Sequence, residues 1–477
     1  MQNHFQEIYN VLPLVLVACG VFLSVVIEIG SVKSEKILPW FSVLVFLGTS
    51  LFSVFNLNNC GTAYNNMLSY GGNVFIFYSL FNLAAALTVL SSMEYIKKYG
   101  SYFGEYYILL LSSVLGMMLM AGARDLFMVF IGLELMSICF YVLAGINRKK
   151  QNANEASLKY FLLGSFATGF VVYGIALIFG TAHTTSLEVI VSNFGSLSHN
   201  LLFVTGMLLF LVGFSFKIAA FPFHMWVPDV YQGSATTVSG LMSTGGKAAA
   251  FSVLLIALGA VFPGNAANVF RPYFAAIAAF SMLYGSIVAI SQNNLKRMLA
   301  YSSIAHAGYM AIGLAAGNRE SVAGIMFYLV AYTFMNLGAF GIIAMVEGAD
   351  DTNLELKDYI GLSQRHPLLS ALMALFMFSL SGLPPFAGFF GKYYVFISAI
   401  KADLTWLAIL GVVSSVISVY FYLRVIVYMY FKEPEPEALP VHNNANGVLA
   451  VVISAILVVM FGIFPGTLIN LITSYLR

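Results

Sequence analysis

Fourteen apolar stretches follow one another along this chain, each close to the roughly 20 residues needed to cross a hydrocarbon layer, and little sequence is left over for anything else. They begin near Val11, Ile37, Asn73, Tyr106, Asp125, Leu158, Leu201, Val238, Pro272, Met298, Val322, Pro367, Leu404 and Val448. In lipid every backbone polar group must find its partner within the protein, which confines such a chain to bundled helices. Composition agrees: 60% of residues are hydrophobic and 9% charged, with a mean hydropathy of +0.88, against about a quarter charged in a soluble domain. The expected fold class is an all-α polytopic membrane protein. The run from about Val11 to Ile29 is followed by charge and not by a small-residue cleavage site, so it reads as a retained first helix and not as a signal peptide.

Two stretches fit this pattern poorly. The segment from about 201 to 240 is too long for one span and too short for two, and Phe221-Pro222-Phe223 interrupts it. The segment from about 367 to 400 has the same defect, with Leu383-Pro384-Pro385-Phe386 at its break. Each is expected to be a discontinuous helix, a device that marks ion and substrate sites because irregular backbone at membrane depth is tolerated where it lines a cavity. The two breaks fall on the fourth span of two five-span blocks. An odd number of spans per block requires the second to be inverted relative to the first. The expected organisation is therefore three helices over 1–105, a first repeat over 106–262, an inverted second repeat over 268–431, and a loop with a final helix over 432–477.

Basic residues set the orientation. With the N-terminus outside, the inside loops hold twelve: Lys33, Lys36, Lys97, Lys98, Arg148, Lys149, Lys150, Lys296, Arg297, Lys357, Arg365 and Lys432. The outside holds five: Arg124, Arg271, Arg319, Lys401 and Arg477. This bias favours fourteen spans with both termini outside, the periplasmic side of an inner (plasma) membrane.

The remaining charges are the ones with chemistry in them. Glu134 lies well inside the fifth span with no other charge within eight residues. Lys217 stands in an apolar segment just ahead of the first break, and Lys392 just after the second, in Gly391-Lys392-Tyr393. A lysine in hydrocarbon costs roughly 2.5–3.5 kcal/mol on insertion scales, so it persists only against a partner or a wet path; Lys217 is the natural partner of Glu134. Lys247 follows Gly245-Gly246 near a helix start, where snorkelling to the interface competes with a functional role. Lys159 stands four residues after Glu155, so a surface ion pair competes with a proton-path role. His224 in the first break and His306 in the tenth span titrate near neutral pH and could relay protons, or could be structural. Asp229 reads as a turn or helix-end residue at the Pro228 corner, and the Glu433–Glu437 run as a solvated loop.

Other chemistries lack their residues. Cys19, Cys60 and Cys139 have no CxxC or Cys/His spacing and read as small buried apolar residues. No P-loop or dinucleotide-binding glycine pattern follows a strand, and a net charge of +2 with no basic run argues against nucleic acid. The chemistry available is proton uptake and release.

Four motifs carry a resemblance that covers nearly the whole chain. They are Gly132-Leu133-Glu134-Leu135, the block from Lys217 to Asp229, the block from Leu295 to Tyr309, and the block from Gly382 to Lys392. Together they resemble the antiporter-like membrane subunits of respiratory complex I, the proton-pumping NADH:quinone oxidoreductase, which are related to multisubunit cation/proton antiporters. A lysine in the second broken helix and the absence of a long lateral helix are similar to the N-type members. The resemblance implies that Glu134 and Lys217 form the charge pair of a first half-channel. It further implies that Lys247 connects the halves, Lys392 serves the second half-channel, and Lys159 modulates the pair. It implies no cofactor in this chain, with NAD, flavin, iron–sulfur clusters and quinone on other subunits, and neighbours of the M-type and the small K-type. A Glu–Lys pair in contact at about 4 Å is worth about 4 kcal/mol at an effective dielectric near 20. Moving one charge through ~200 mV costs about 4.6 kcal/mol, so making or breaking one pair is of the size needed to move one proton. An antiporter or membrane-bound hydrogenase subunit would share these motifs. A stand-alone small-molecule carrier would need a roomy polar cavity that few residues here could line.

Overall fold

A computed structural model of the chain describes residues 2–97, 104–259, 265–348, 351–433 and 444–476. Lys98, Arg477 and residues 434–437 of the acidic loop lie outside them. Among the described residues, eleven helices are long and apolar enough to cross a membrane. Leu295–Ala316 is long enough but more polar, and two further spans are each built from two short helices, Leu201–Lys217 with Val227–Gly233 and Pro367–Ser381 with Ala387–Lys401. Taken in chain order these make the fourteen spans expected, and each starts within seven residues of its expected position. The first interrupted span closes at Gly233, short of the expected 240, because the next helix already begins at Thr236. A small antiparallel hairpin, Gly61–Ala63 with Leu68–Tyr70, caps the second and third spans and has no counterpart in the sequence reading.

The spans differ in what they touch. The eleventh, Arg319–Val346, has its whole apolar window buried inside the protein, the eighth 94% and the third 89%, whereas the first has only 28%. Peripheral spans present Phe22, Val26, Leu44, Phe166 and Val416 outward, as a lipid-facing surface requires. Cys19 belongs to that periphery and Cys60 precedes the hairpin; both are exposed and only Cys139 is buried, so the expectation of three buried cysteines is corrected. Polar side chains on the central spans are sheltered from lipid by protein, which is where they can be held.

Both breaks share one local structure. Leu201–Lys217 ends in a Schellman motif, with Ala219 N–H donating to the Phe216 carbonyl and Ala220 N–H to that of Ser215. Pro367–Ser381 ends the same way, through Gly382 to Ser379 and Leu383 to Phe378. The left-handed residue is Ala219 at φ 65° in one and Gly382 at φ 88° in the other, each three residues before a cis proline, Pro222 and Pro385. Proline has no N–H to continue the ladder, so each helix stops, and it resumes after nine residues in the first break and five in the second.

Candidate functional site

Glu134 sits mid-way along the fifth span, Leu126–Ala144, half-buried, and accepts a hydrogen bond from Thr168 of the sixth span at 2.8 Å. Ser137 and Tyr141 follow it at i+3 and i+7, hence on the same helical face. Lys217 donates to both, at 2.8 Å to Ser137 and 3.2 Å to Tyr141. It is buried, lies over the Tyr141 ring, and occupies the last turn of its half-helix, where the negative end of the helix dipole favours a cation. Glu134 and Lys217 are within electrostatic reach of each other but not in ion-pair contact at 4.0 Å or less. Hydroxyls stand between them, so the contact pair of the sequence reading is seen here in a loosened form.

Lys247 opens the α-helix Lys247–Gly259, yet it lies in the middle of the eighth span. It follows directly on a π-helical turn, Met242–Gly246, that joins Thr236–Leu241 to Lys247–Gly259. Such turns shift the register by a residue and are frequent at functional sites. The side chain is 1% exposed, which removes the snorkelling alternative. It donates to the Ser303 carbonyl at 2.5 Å and hydroxyl at 2.6 Å and lies 5.5 Å from the centre of the Tyr332 ring.

Lys392 reaches back across the second break. It donates to the carbonyl of Ser381, the last residue of the preceding half-helix, at 2.8 Å, and to Ser415 at 2.8 Å, with the Tyr309 ring 5.0 Å away. Between Lys247 and Lys392 lies His306. Its Nδ1 is 2.7 Å from the Tyr328 hydroxyl and its Nε2 3.0 Å from that of Tyr422, its ring packs against Tyr332 and Tyr309, and it is within electrostatic reach of both lysines. On the other side, Tyr141 packs edge-on to Tyr160, and Tyr231 interacts with Tyr160, Ser303 and Tyr332. A line of phenols, hydroxyls and one imidazole therefore runs from Glu134 through Lys217, Lys247 and His306 to Lys392. The tyrosines were missed in the sequence. Their signal was position, since membrane-protein tyrosines concentrate at the interfaces and these lie inside spans.

Two expected participants are elsewhere. Lys159 is 41% exposed and pairs with Glu155 at 2.6 Å and Asp229 at 2.8 Å, while Asp229 also binds Arg297 at 2.7 Å. Asp229, in the first turn of Val227–Gly233 as expected of a helix-end residue, is also the shared anion of a cluster that ties the sixth, seventh and tenth spans together. His224 stacks on Phe221 and Tyr284, and its Nδ1 has no hydrogen-bond partner, so it is not joined to the line. Lys296, counted as a loop residue, is buried and lies 3.9 Å from Glu347. No group of three or more His, Cys, Asp or Glu among the described residues is placed to hold a metal.

The profile of the family described as NADH:quinone oxidoreductase/Mrp antiporter, transmembrane, matches residues 123–418, which include every residue of the line from Glu134 to Lys392. The chain belongs to this family. Two relatives are close to full length: NADH-quinone oxidoreductase subunit N 1 of Chloroherpeton thalassium is 44% identical over 98% of this chain and 97% of its own. NADH-quinone oxidoreductase subunit N of Trichlorobacter lovleyi is 44% identical over 98% and 94%. A chain of respiratory complex I from Thermus thermophilus with bound aureothin is 32% identical with a TM-score of 0.83, over 96% of this chain and 98% of that one.

Proposed function

We infer that this family member is the antiporter-like, proton-translocating membrane subunit of a respiratory NADH:quinone oxidoreductase in a bacterial plasma membrane, working beside other membrane subunits. The observation that carries the reading is the line itself: three buried lysines and a histidine, each bonded to a hydroxyl, with packed tyrosines between them. Buried cations at this depth are functional by default. Lys247 and Lys392 rest on hydroxyls and carbonyls, and such neutral partners tolerate either charge state. Each amine can therefore take a proton and pass it on.

The finer assignments form part of the same proposal. Glu134 and Lys217 are the input pair, Lys247 and His306 the connection, and Lys392 the output, with 106–262 and 268–431 as the two working halves and both termini outside. Neighbours of the M-type and K-type would flank it. Redox cofactors and quinone would belong to other subunits, so the purified chain should show no flavin, haem or iron–sulfur absorbance in the visible range. The test of the line is Lys392→Ala in the assembled complex. Coupled proton transport and quinone reduction should fall together, because a stalled proton path stalls electron flow in a coupled machine. A wild-type proton-to-electron ratio and rate would remove Lys392 from the path.

A further inference from the structure

A buried ion pair lies off this line. Lys296 stands at the start of the tenth span and Glu347 at the end of the eleventh, both 1% exposed, with charged atoms 3.9 Å apart. Lys296 also donates to the Ser234 carbonyl at 2.7 Å. One Glu347 oxygen accepts from Tyr95 at 2.8 Å and from Thr236 at 2.6 Å. Groups from the third, eighth, tenth and eleventh spans, and from the turn after the seventh, meet here at one level of the bundle. Desolvating such a pair offsets most of its attraction, and well-packed apolar residues would hold the same contact at least as well. Packing alone does not account for it.

Its surroundings lead in two directions. Toward the basic face, Lys150 pairs with Asp351, both partly exposed, and both lie within electrostatic reach of Lys296. Toward the interior, Thr237 bonds the Tyr106 hydroxyl at 3.0 Å and lines a small cavity with Thr88, Ser91, Gly240 and Ser454. The cavity has room for about one water, and enough hydroxyls to hold it. One turn further, Asn336 donates to Ser243 at 2.6 Å and to Tyr332 at 3.1 Å, and Tyr332 lies against Lys247. Thr236 to Lys247 spans about 16 Å at 1.5 Å per residue.

We propose that Glu347, paired with Lys296, is a proton-uptake residue for Lys247, connected to that lysine along the buried face of the eighth span. This rests on the proton-translocating reading above. A proton from the basic face forms an O–H bond on the Glu347 carboxylate. It leaves through Thr236, Thr237, cavity water and the Ser243 and Tyr332 hydroxyls to form an N–H bond on neutral Lys247, and the carboxylate is restored. Lys296 is a positioning residue, since it acts through Glu347. Lys247 is then loaded from the basic face as well as from Lys217.

The test uses the assembled complex in vesicles. Glu347→Gln keeps the side-chain shape and an acceptor for Tyr95 and Thr236 but removes the exchangeable carboxyl proton. It should lower coupled proton transport by about 100-fold, the low end of what a proton-transferring side chain contributes, while Glu347→Asp should retain more. Thr237→Val deletes one hydroxyl at constant shape, and should slow turnover and raise the solvent deuterium isotope effect, which a purely structural role leaves unchanged. If Glu347→Gln assembles and pumps at the wild-type rate, the proposal is wrong, whereas the roles of Lys217 and Lys392 stand or fall on their own variants. If Glu347→Gln does not assemble, Thr237→Val decides, and a wild-type rate with an unchanged isotope effect overturns the proposal.

Discussion

Replacing Glu134 separates charge from packing at the head of the line. Lys217 Nζ is 2.8 Å from the Ser137 hydroxyl, and Glu134 stands one turn before Ser137 on the same face, where neighbouring Cβ atoms are ~5–6 Å apart. The two charges are therefore roughly 7 Å apart, a coupling of about 2.4 kcal/mol at an effective dielectric near 20. That is a little over half the ~4.6 kcal/mol needed to carry one charge through ~200 mV, so the arrangement seen here is short of the work required and closing the pair toward contact would supply more. Glu134→Ala removes the coupling altogether, worth up to roughly 60-fold in rate. Glu134→Asp keeps the charge about one methylene further away, near 8 Å, which costs about 0.3 kcal/mol and less than a factor of two. The assay is proton uptake and quinone reduction in inverted vesicles, normalised to the amount of assembled complex. Equal losses in the two variants would show that size and not charge matters at this position, and more than half of wild-type turnover in Glu134→Ala would remove it from the coupling step.

Lys159→Ala should change stability by less than about 1 kcal/mol, because the side chain is 41% exposed and Asp229 keeps Arg297; thermal melting and turnover check this, and a severe loss of turnover would return Lys159 to the path. Gly382→Ala should cost about 1–2 kcal/mol from the left-handed φ of 88°. The added carbon would also stand 2.9 Å from the Lys392 side chain, so activity should fall more than the melting temperature suggests. Single cysteines in the Arg148–Lys150 and Ala182–His199 loops should label from opposite sides of the membrane, the first from the cytoplasm. Labelling of both from one side would contradict the fourteen-span arrangement.

The spans were legible because each needs about 20 apolar residues and the chain provides them in sequence with basic residues between. The two breaks were legible from their prolines, and Lys217, Lys247 and Lys392 from the cost of a lysine in an apolar run. Their partners were not. Ser137, Ser303 and Ser415 are three hydroxyls among many in the chain, and nothing local distinguishes a serine that faces a lysine on another span from one that bonds only its own helix, as Ser53 and Ser252 do. Lys296 and Glu347 were hidden for the opposite reason. Each lies at a helix end, where a charge is ordinary, and only the packing of five chain segments around them makes them buried. Lys159 is the converse case: the resemblance implies a modulating role for it, and the fold holds its side chain at the rim, paired with Glu155 and Asp229.

Lys217 and Lys392 come to their breaks from opposite flanks, one as the last residue of the first half-helix, the other from one residue past the first turn of the second. Superposing the two blocks on their cis prolines puts Leu380 where Lys217 stands, so a residue-by-residue comparison of the halves would find no shared cation. What repeats is the carbonyl end of the first half-helix, a small negative socket at the end of its dipole. A duplicated gene that preserved the socket could lose and regain its lysine on either flank without losing the site.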